Sequence, residues 1–109
     1  MEIEKKLTDQ SLYVKITGRL DSYTSPELEE SLNQDLDKLT DLTFDLTDLA
    51  YISSAGLRVL LLAQKAMNKQ GTMRVLNPNS DVMDVFEVTG FTDILTVEKT
   101  EPVEQGVEE

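Results

Sequence analysis

The order of two hydrophobic patterns along the chain constrains its fold more than any other feature of the sequence. In residues 12–16 and 42–46 apolar and polar side chains alternate, and this period of two predicts strands that bury one face. A shorter strand precedes the first, and two more follow near residues 73–76 and 94–97. Three intervening segments repeat apolar residues every three or four positions, which is typical of amphipathic helices. The resulting order β, β, α, β, α, β, α, β predicts an α/β fold in which helices connect strands of one sheet.

Local signals predict where the three helices begin and end. Ser25 starts the first and Ser80 caps the third, because a serine side chain can accept a hydrogen bond from an unpaired backbone N–H. The second spans about residues 54–70. Gly71 and Gly90 follow the second and third helices, where a glycine stop is expected, and at Gly71 we expect the left-handed conformation. We therefore predict a single domain with a mixed sheet of four to five strands and helices mainly on one face.

The second helix has two faces of opposite character. The apolar face, which we expect to pack on the sheet, carries Val59, Leu60, Ala63 and Met67. The opposite face carries Arg58 and Lys65, and Leu62 falls among these basic residues. An exposed leucine in a basic setting suggests a contact patch, although a single exposed leucine is also ordinary.

The residue types that most small enzymes need for catalysis are missing from the sequence. It has no Cys and no His, which excludes thiol catalysis, disulfides and Cys-ligated metals and removes the commonest general base. Neither G-x-x-x-x-G-K-S/T nor G-x-G-x-x-G occurs, so no phosphate-binding loop is predicted. We predict that the chain is not an enzyme and that it binds no cofactor and no metal.

The charge of the chain limits its partners. The formal net charge is -11 at pH 7, and a chain this acidic is repelled by nucleic acid and by anionic lipid surfaces. The longest apolar stretch, residues 59–63, is far shorter than the roughly 20 residues that span a bilayer. No signal peptide is recognisable either. We expect a cytoplasmic protein that binds neither nucleic acid nor membrane.

The end of the chain differs in composition from the rest. From residue 98 onward it contains five Glu and one Lys, together with Pro102 and Gly106, and shows no periodicity. We therefore expect a domain of residues 1–98 followed by an acidic, disordered tail at residues 99–109.

Two adjacent serines, Ser53 and Ser54, lie at the predicted turn from a strand into the second helix. The free N–H groups and the dipole at a helix N-terminus favour negative charge, so a phosphate on either serine would be tolerated there. A plain helix cap explains the same residue types. From their spacing alone, we prefer the plain cap.

Three acidic residues, Asp21, Asp45 and Asp48, lie at or just after the ends of predicted strands. Sites in α/β sheets collect at strand ends, and paired carboxylates there could hold Mg²⁺. The alternative is ordinary turn and cap chemistry, for which Asp is a favoured residue. We prefer the second interpretation.

Three segments together resemble a known family. Residues 45–61, with Ser53-Ser54-Ala55-Gly56-Leu57 at their centre, resemble the central motif of STAS domains, which bacterial anti-sigma factor antagonists share with the cytoplasmic parts of sulfate transporters. Gly18-Arg19-Leu20-Asp21 resembles the family's Gly-x-Leu-Asp after the second strand, and Val88-Thr89-Gly90-Phe91 its segment after the third helix. The resemblance covers about residues 2–98.

The resemblance implies a partner-switching role in bacterial transcription. The unphosphorylated antagonist binds an anti-sigma factor that is also a serine kinase, and a sigma factor is released. Phosphorylation by the kinase ends the contact, and a metal-dependent serine phosphatase restores it. The family's phosphoacceptor corresponds to Ser54; because the family's preceding Asp is Ser53 here, Ser53 is the alternative. The expected partner surface of a monomeric protein comprises Asp21, Ser53, Ser54, Gly56, Arg58 and Leu62.

A different role is compatible with the same resemblance. A STAS protein can serve as a fixed adaptor, for example as the small subunit of a lipid-transport ATPase, without any phosphorylation switch. Detection of one added phosphate on protein from its native cells would separate the two roles.

Overall fold

The structure, a computed structural model, describes residues 1–100. The predicted acidic tail therefore falls outside the described residues, apart from Lys99 and Thr100. The strands are β1 Glu2–Thr8, β2 Ser11–Leu20, β3 Asp41–Asp45, β4 Leu49–Ile52, β5 Thr72–Leu76 and β6 Val97–Glu98. The helices are α1 Ser25–Asn33, α2 Ser54–Gln70 and α3 Ser80–Thr89, with 3₁₀ turns at Leu36–Lys38 and Phe91–Asp93.

The strands form one mixed sheet, which confirms the predicted α/β architecture. Its order is β1-β2-β3-β5-β6, with β1 antiparallel to β2 and the other pairs parallel. Beyond the end of β3, β2 pairs instead with β4. At this change of partner the register shifts between Gly18 and Arg19, and Gly18 has a φ of +101°, a conformation that favours glycine.

The sheet has six strands within the described residues, against the four to five expected, because β4 lacks the period-two pattern of a strand. Leu49 and Ile52 are buried, whereas Ala50 and Tyr51 between them are exposed. From the sequence alone, these four residues are predicted to lie in a turn. Only their pairing with the end of β2 makes them a strand.

The helices cover one face of the sheet, as predicted. Leu12, Val14 and Ile16 of β2 are buried in the core, while Tyr13 and Lys15 between them are half-exposed. The face of α2 that packs on the sheet is also confirmed, since Val59, Leu60, Ala63 and Met67 are all buried. Gln64 is a buried polar residue on this helix, which its hydrophobic pattern does not predict.

In two helices the N-cap lies one residue before the serine that was expected to be the cap. The N-cap of α1 is Thr24, and Ser25 is its first helical residue. The N-cap of α3 is Asn79, whose side chain accepts a hydrogen bond from the backbone N–H of Val82 at 2.8 Å. An Asn caps as well as a Ser, so the choice between adjacent candidates depended on backbone geometry.

The two helix-terminating glycines act for different reasons. Gly90 has a φ of +80°, the left-handed conformation of a helix stop. Gly71 has a φ of 175° and is extended, so the left-handed stop expected there is wrong. A Cβ at Gly71 would lie 2.0 Å from the carbonyl oxygen of Thr40. Glycine is required at this position for close approach to a neighbouring loop.

Candidate functional site

The strand β4 brings the loop after β2 and the start of α2 into one place. In the β2–β4 pair, Arg19 lies opposite Tyr51 and Leu20 lies opposite Ile52. The backbone N–H of Ser53 then donates to the carbonyl oxygen of Leu20 at 2.9 Å. The two segments that carry the predicted site residues Asp21, Ser53, Ser54 and Gly56 are therefore neighbours.

Gly56 lets the first turn of α2 lie directly on the ends of these strands. It is buried, and a Cβ at this position would lie 2.8 Å from Cγ of Leu20 and 2.9 Å from Cγ1 of Ile52. Real Cβ atoms do not approach other carbons this closely, so a larger residue would push the helix start away from the sheet.

The two serines at the start of α2 have different environments. Ser53 is half-buried and is the N-cap: its Oγ accepts a hydrogen bond from the N–H of Gly56 at 3.4 Å. Ser54 is the first helical residue and is exposed. The first turn contains no acidic residue. Backbone N–H groups in a first turn lack acceptors within their own helix, so negative charge at Ser54 is favoured.

Asp21 organises the loop between β2 and α1. Its Oδ1 accepts hydrogen bonds from the N–H of Thr24 at 3.1 Å, the N–H of Tyr23 at 3.0 Å and the hydroxyl of Thr24 at 3.1 Å. These bonds, that of the Thr24 N–H above all, hold the pKa of Asp21 below its ordinary value. Asp21 is therefore a carboxylate at neutral pH, and its immediate role is to fix this loop beside Ser54.

Arg19 and Tyr51 form a contact beside the site that the sequence pattern did not predict. The guanidinium of Arg19 lies 4.2 Å from the centre of the Tyr51 ring, and its Nε lies 3.7 Å from Oδ2 of Asp21. Both side chains are exposed. The two residues are far apart in sequence, and only the pairing of β4 with β2 places one over the other. No local signal could have found this contact.

A groove runs between α1 and α2 from the Ser54 end of the site. Its first part, of roughly 280 Å³, is lined by Ser22, Ser25, Pro26 and Glu29 on one side and Ser54, Ala55, Arg58 and Val59 on the other. A narrower continuation reaches Leu62, which is 46% exposed. Of the predicted partner residues, Ser54, Arg58 and Leu62 thus lie along the exposed side of α2, whereas Gly56 is buried beneath the helix start. The expected exposure of Leu62 is confirmed.

The three aspartates considered as a magnesium site are not brought together. Asp45 accepts hydrogen bonds from the N–H of Thr47 at 3.0 Å, the Thr47 hydroxyl at 2.6 Å and the Tyr13 hydroxyl. Burial raises the pKa of Asp45, but these bonds outweigh it, and the pKa lies below its ordinary value. Asp48 pairs with Lys15 at 3.1 Å.

Asp21, Asp45 and Asp48 therefore serve separate turns and ion pairs. Within residues 1–100, no group of three or more His, Cys, Asp or Glu side chains could hold a metal ion. In the same part of the chain, no helix combines the length and apolar character needed to cross a membrane.

Comparison with known proteins identifies the family to which this sequence is related. The model of the STAS domain matches residues 2–105. The anti-sigma-B factor antagonist of Bacillus subtilis (strain 168) is 30% identical over 98 residues, which cover 89% of this chain and 90% of that protein. The protein of the same name from Staphylococcus aureus (strain NCTC 8325 / PS 47) is 33% identical over 106 residues, covering 95% and 98% of the two chains.

Solved structures show the same fold at low sequence identity. The anti-sigma factor antagonist SpoIIAA in its unphosphorylated form has a TM-score of 0.82 at 17% identity, covering 95% of this chain and 92% of that one. The Bacillus cell fate determinant SpoIIAA in the phosphorylated form has a TM-score of 0.76 at 16% identity, with 95% and 96% covered.

Proposed function

The chain belongs to the STAS domain family, and from this premise we infer that it is an anti-sigma factor antagonist, which binds an anti-sigma factor and thereby frees a sigma factor. Two relatives that are matched over nearly their whole length carry that name. The observation that supports a switch is the start of α2, where an exposed serine lies at a helix end that carries no acidic residue.

Ser54 is the phosphoacceptor in this proposal. Ser53 is half-buried, and its hydroxyl oxygen caps the helix by accepting from the N–H of Gly56. A kinase would have to break that cap to reach it. Ser54 is exposed and has no role in the cap. The difference in environment favours Ser54, the position that also corresponds to the family's phosphoacceptor.

The partner is an anti-sigma factor that also has serine kinase activity. It transfers the γ-phosphoryl group of ATP to Oγ of Ser54, with ADP as the leaving group and loss of the hydroxyl proton. A metal-dependent serine phosphatase hydrolyses the phosphoserine and regenerates the binding form. The chain is thus a substrate and a binding partner, and its own role requires no catalytic group.

The contact surface extends from the Asp21 loop along α2. Asp21 fixes the loop beside Ser54, and Gly56 holds the helix start against the sheet. Arg58 and Leu62 follow at intervals of one helical turn and are both exposed. An exposed leucine beside a charged residue can act as an apolar anchor that the partner covers on binding.

Phosphorylation ends binding through local charge. A phosphoserine carries about -1.5 to -2 charges at neutral pH, and an unpaired charge of this size is costly inside a desolvated interface. In the free protein the same charge lies at a helix N-terminus, where it is favourable by about 0.3 to 1 kcal/mol when exposed. The contact is therefore lost while the fold persists.

The choice of serine is tested by phosphopeptide mapping after incubation with the candidate kinase and ATP. We expect a label on Ser54 in the wild-type protein, an unchanged label in Ser53→Ala and no label in Ser54→Ala. A label on Ser53 that persists in Ser54→Ala would contradict the assignment. Absence of phosphate under every condition in native cells would instead favour a fixed adaptor.

The contact surface is tested separately with Leu62→Ala. We expect about tenfold weaker binding to the anti-sigma factor with an unchanged melting temperature, because the side chain is nearly half exposed in the free protein. Lys69→Ala, near the far end of the same helix, is the matched control and should bind as wild type. Equal affinity of Leu62→Ala and wild type would remove Leu62 from the interface.

A further inference from the structure

One buried hydroxyl beside Ser54 lacks a hydrogen-bond partner. Ser25 is 3% exposed, and its Oγ has no partner within residues 1–100. Burying a hydroxyl without a partner costs free energy, and the great majority of buried polar atoms in native proteins are paired. Ser25 lines the groove between α1 and α2 that also contains Ser54.

The other groups that line this groove also suit an anion. Arg58 lies four residues after Ser54 on α2, so the two side chains share one face of the helix. Ser22 contributes a second hydroxyl from the loop before α1. The first turn of α2 adds backbone N–H groups that have no acceptor among the helix's own carbonyl groups, and it contains no carboxylate. An unpaired buried donor, a second hydroxyl, a cation and a helix N-terminus therefore border one space.

We propose that this groove receives the phosphoryl group of phosphorylated Ser54, with Ser25 and Ser22 donating hydrogen bonds to it and Arg58 pairing with it. The proposal deepens the switch and rests on Ser54 as the modified residue. It supplies the acceptor that Ser25 lacks in the unmodified protein. It also assigns a regulatory role to residues of α1, which the contact surface does not otherwise include.

Glu29 is the one carboxylate that lines this groove within the described residues. Its negative charge repels the phosphate, so the phosphate is stabilised less than it would be by the hydrogen-bond donors alone. In the unmodified protein the formal charges of Glu29 and Arg58 cancel. A free anion from solution is therefore a poorer ligand for this groove than a phosphoryl group on Ser54, which its covalent bond keeps in place.

A phosphate held in the groove changes the contact surface in two ways. It places negative charge beside the helix start, and it draws the Arg58 guanidinium toward α1 and away from an approaching partner. A phosphatase must also withdraw the group from the groove before hydrolysis. Weakening the groove should therefore speed dephosphorylation.

The test installs phosphoserine at position 54 during translation, without any kinase, and measures its second pKa by ³¹P NMR. The matched control carries phosphoserine at Ser80, which is also exposed and the first residue of its helix. The pocket beside Ser80 contains Asp84, Glu98 and Lys99. We expect the second pKa of phosphoserine at position 54 to lie below that at position 80 by about half a pH unit, because donors and a cation stabilise the dianion.

Three variants then identify the groups that hold the phosphate. Ser25→Ala and Arg58→Gln should each raise the second pKa of phosphoserine 54, and Glu29→Gln should lower it. Ser25→Ala should fold normally, since it removes a hydroxyl that has no partner. A pKa that Ser25→Ala leaves unchanged would overturn the proposal, even if Arg58→Gln moved it, because the phosphate would then stay on α2 outside the groove.

The NMR titration and the kinase assay can fail separately. If the kinase failed to modify Ser54, the switch would be wrong while the NMR titration still reported on the groove. If the titration showed no effect of Ser25, the switch could still operate through charge at the surface.

Discussion

The starts of α2 and α3 are built alike and differ in charge. Each helix has an N-cap whose side chain accepts a hydrogen bond from the backbone three residues later, Ser53 in α2 and Asn79 in α3. Each cap is followed by an exposed serine, Ser54 and Ser80. By cap chemistry alone, the two helix starts are equally good places for a phosphate.

The residues around the two serines remove that equivalence. The first turn of α3 contains Asp81, and Asp84 follows Ser80 by four residues. The first turn of α2 contains no acidic residue, and Arg58 follows Ser54 at the same interval. On its own helix, a phosphate on Ser80 would therefore meet carboxylates, and a phosphate on Ser54 would meet a guanidinium.

The difference indicates that neighbouring residues, and not the cap itself, decide which helix start suits an added phosphate. The N-terminus of α3 already has its negative charge from Asp81. The first turn of α2 has no negatively charged side chain, so a phosphate would supply the negative charge there. The third residue of each helix also differs: it is Gly56 in α2 and Val82 in α3.

Substitution of Gly56, the third residue of α2, should have the largest effect on the free energy of unfolding. Gly56→Ala places a Cβ within 3 Å of the side chains of Leu20 and Ile52, so we expect a loss of about 1 to 3 kcal/mol in the free energy of unfolding. Chemical denaturation measures it. Ser54→Ala, an exposed position in the same turn, is the control and should change the free energy by less than about 0.5 kcal/mol. A Gly56→Ala protein as stable as wild type would show that the helix start is not held against the sheet.

The two caps should differ in strength, which sharpens the comparison. The bond accepted by Asn79 is 2.8 Å long, whereas the one accepted by Ser53 is 3.4 Å long. Asn79 also donates from Nδ2 to the carbonyl oxygen of Leu49 at 3.1 Å. We expect Asn79→Ala to lower the free energy of unfolding by about 1 to 2 kcal/mol and Ser53→Ala by clearly less. The reverse order of the two losses would contradict the geometry of the caps.

The sequence predicted the parts of the fold that depend on local pattern. The helix α2, its buried face and the two serines at its start follow from spacing and helix signals within one segment. The strand β4 could not be predicted, because its four residues acquire their identity only by pairing with β2. The same limit applies to the candidate site.

Contacts between distant segments determined the features of the site that sequence reasoning missed. Arg19 lies over Tyr51 only because β4 joins β2, and Ser25 is identifiable as unpaired only once α1 packs beside α2. For the three aspartates considered as a magnesium site, similar positions in the sequence pattern did not mean that the side chains lie together. Each of them lies at a strand end, but their turn and ion-pair partners hold them apart.

The proposed switch requires that negative charge at the start of α2, and not at the similar start of α3, ends partner binding. The most direct measurement compares the affinity of three proteins for the anti-sigma factor: unmodified, with phosphoserine at position 54, and with phosphoserine at position 80. We expect at least about 100-fold weaker binding for the first modified protein, corresponding to about 2.7 kcal/mol, and unchanged binding for the second. Equal affinity of the unmodified protein and the protein phosphorylated at Ser54, or equal losses for both modified proteins, would show that the switch does not depend on charge at the start of α2.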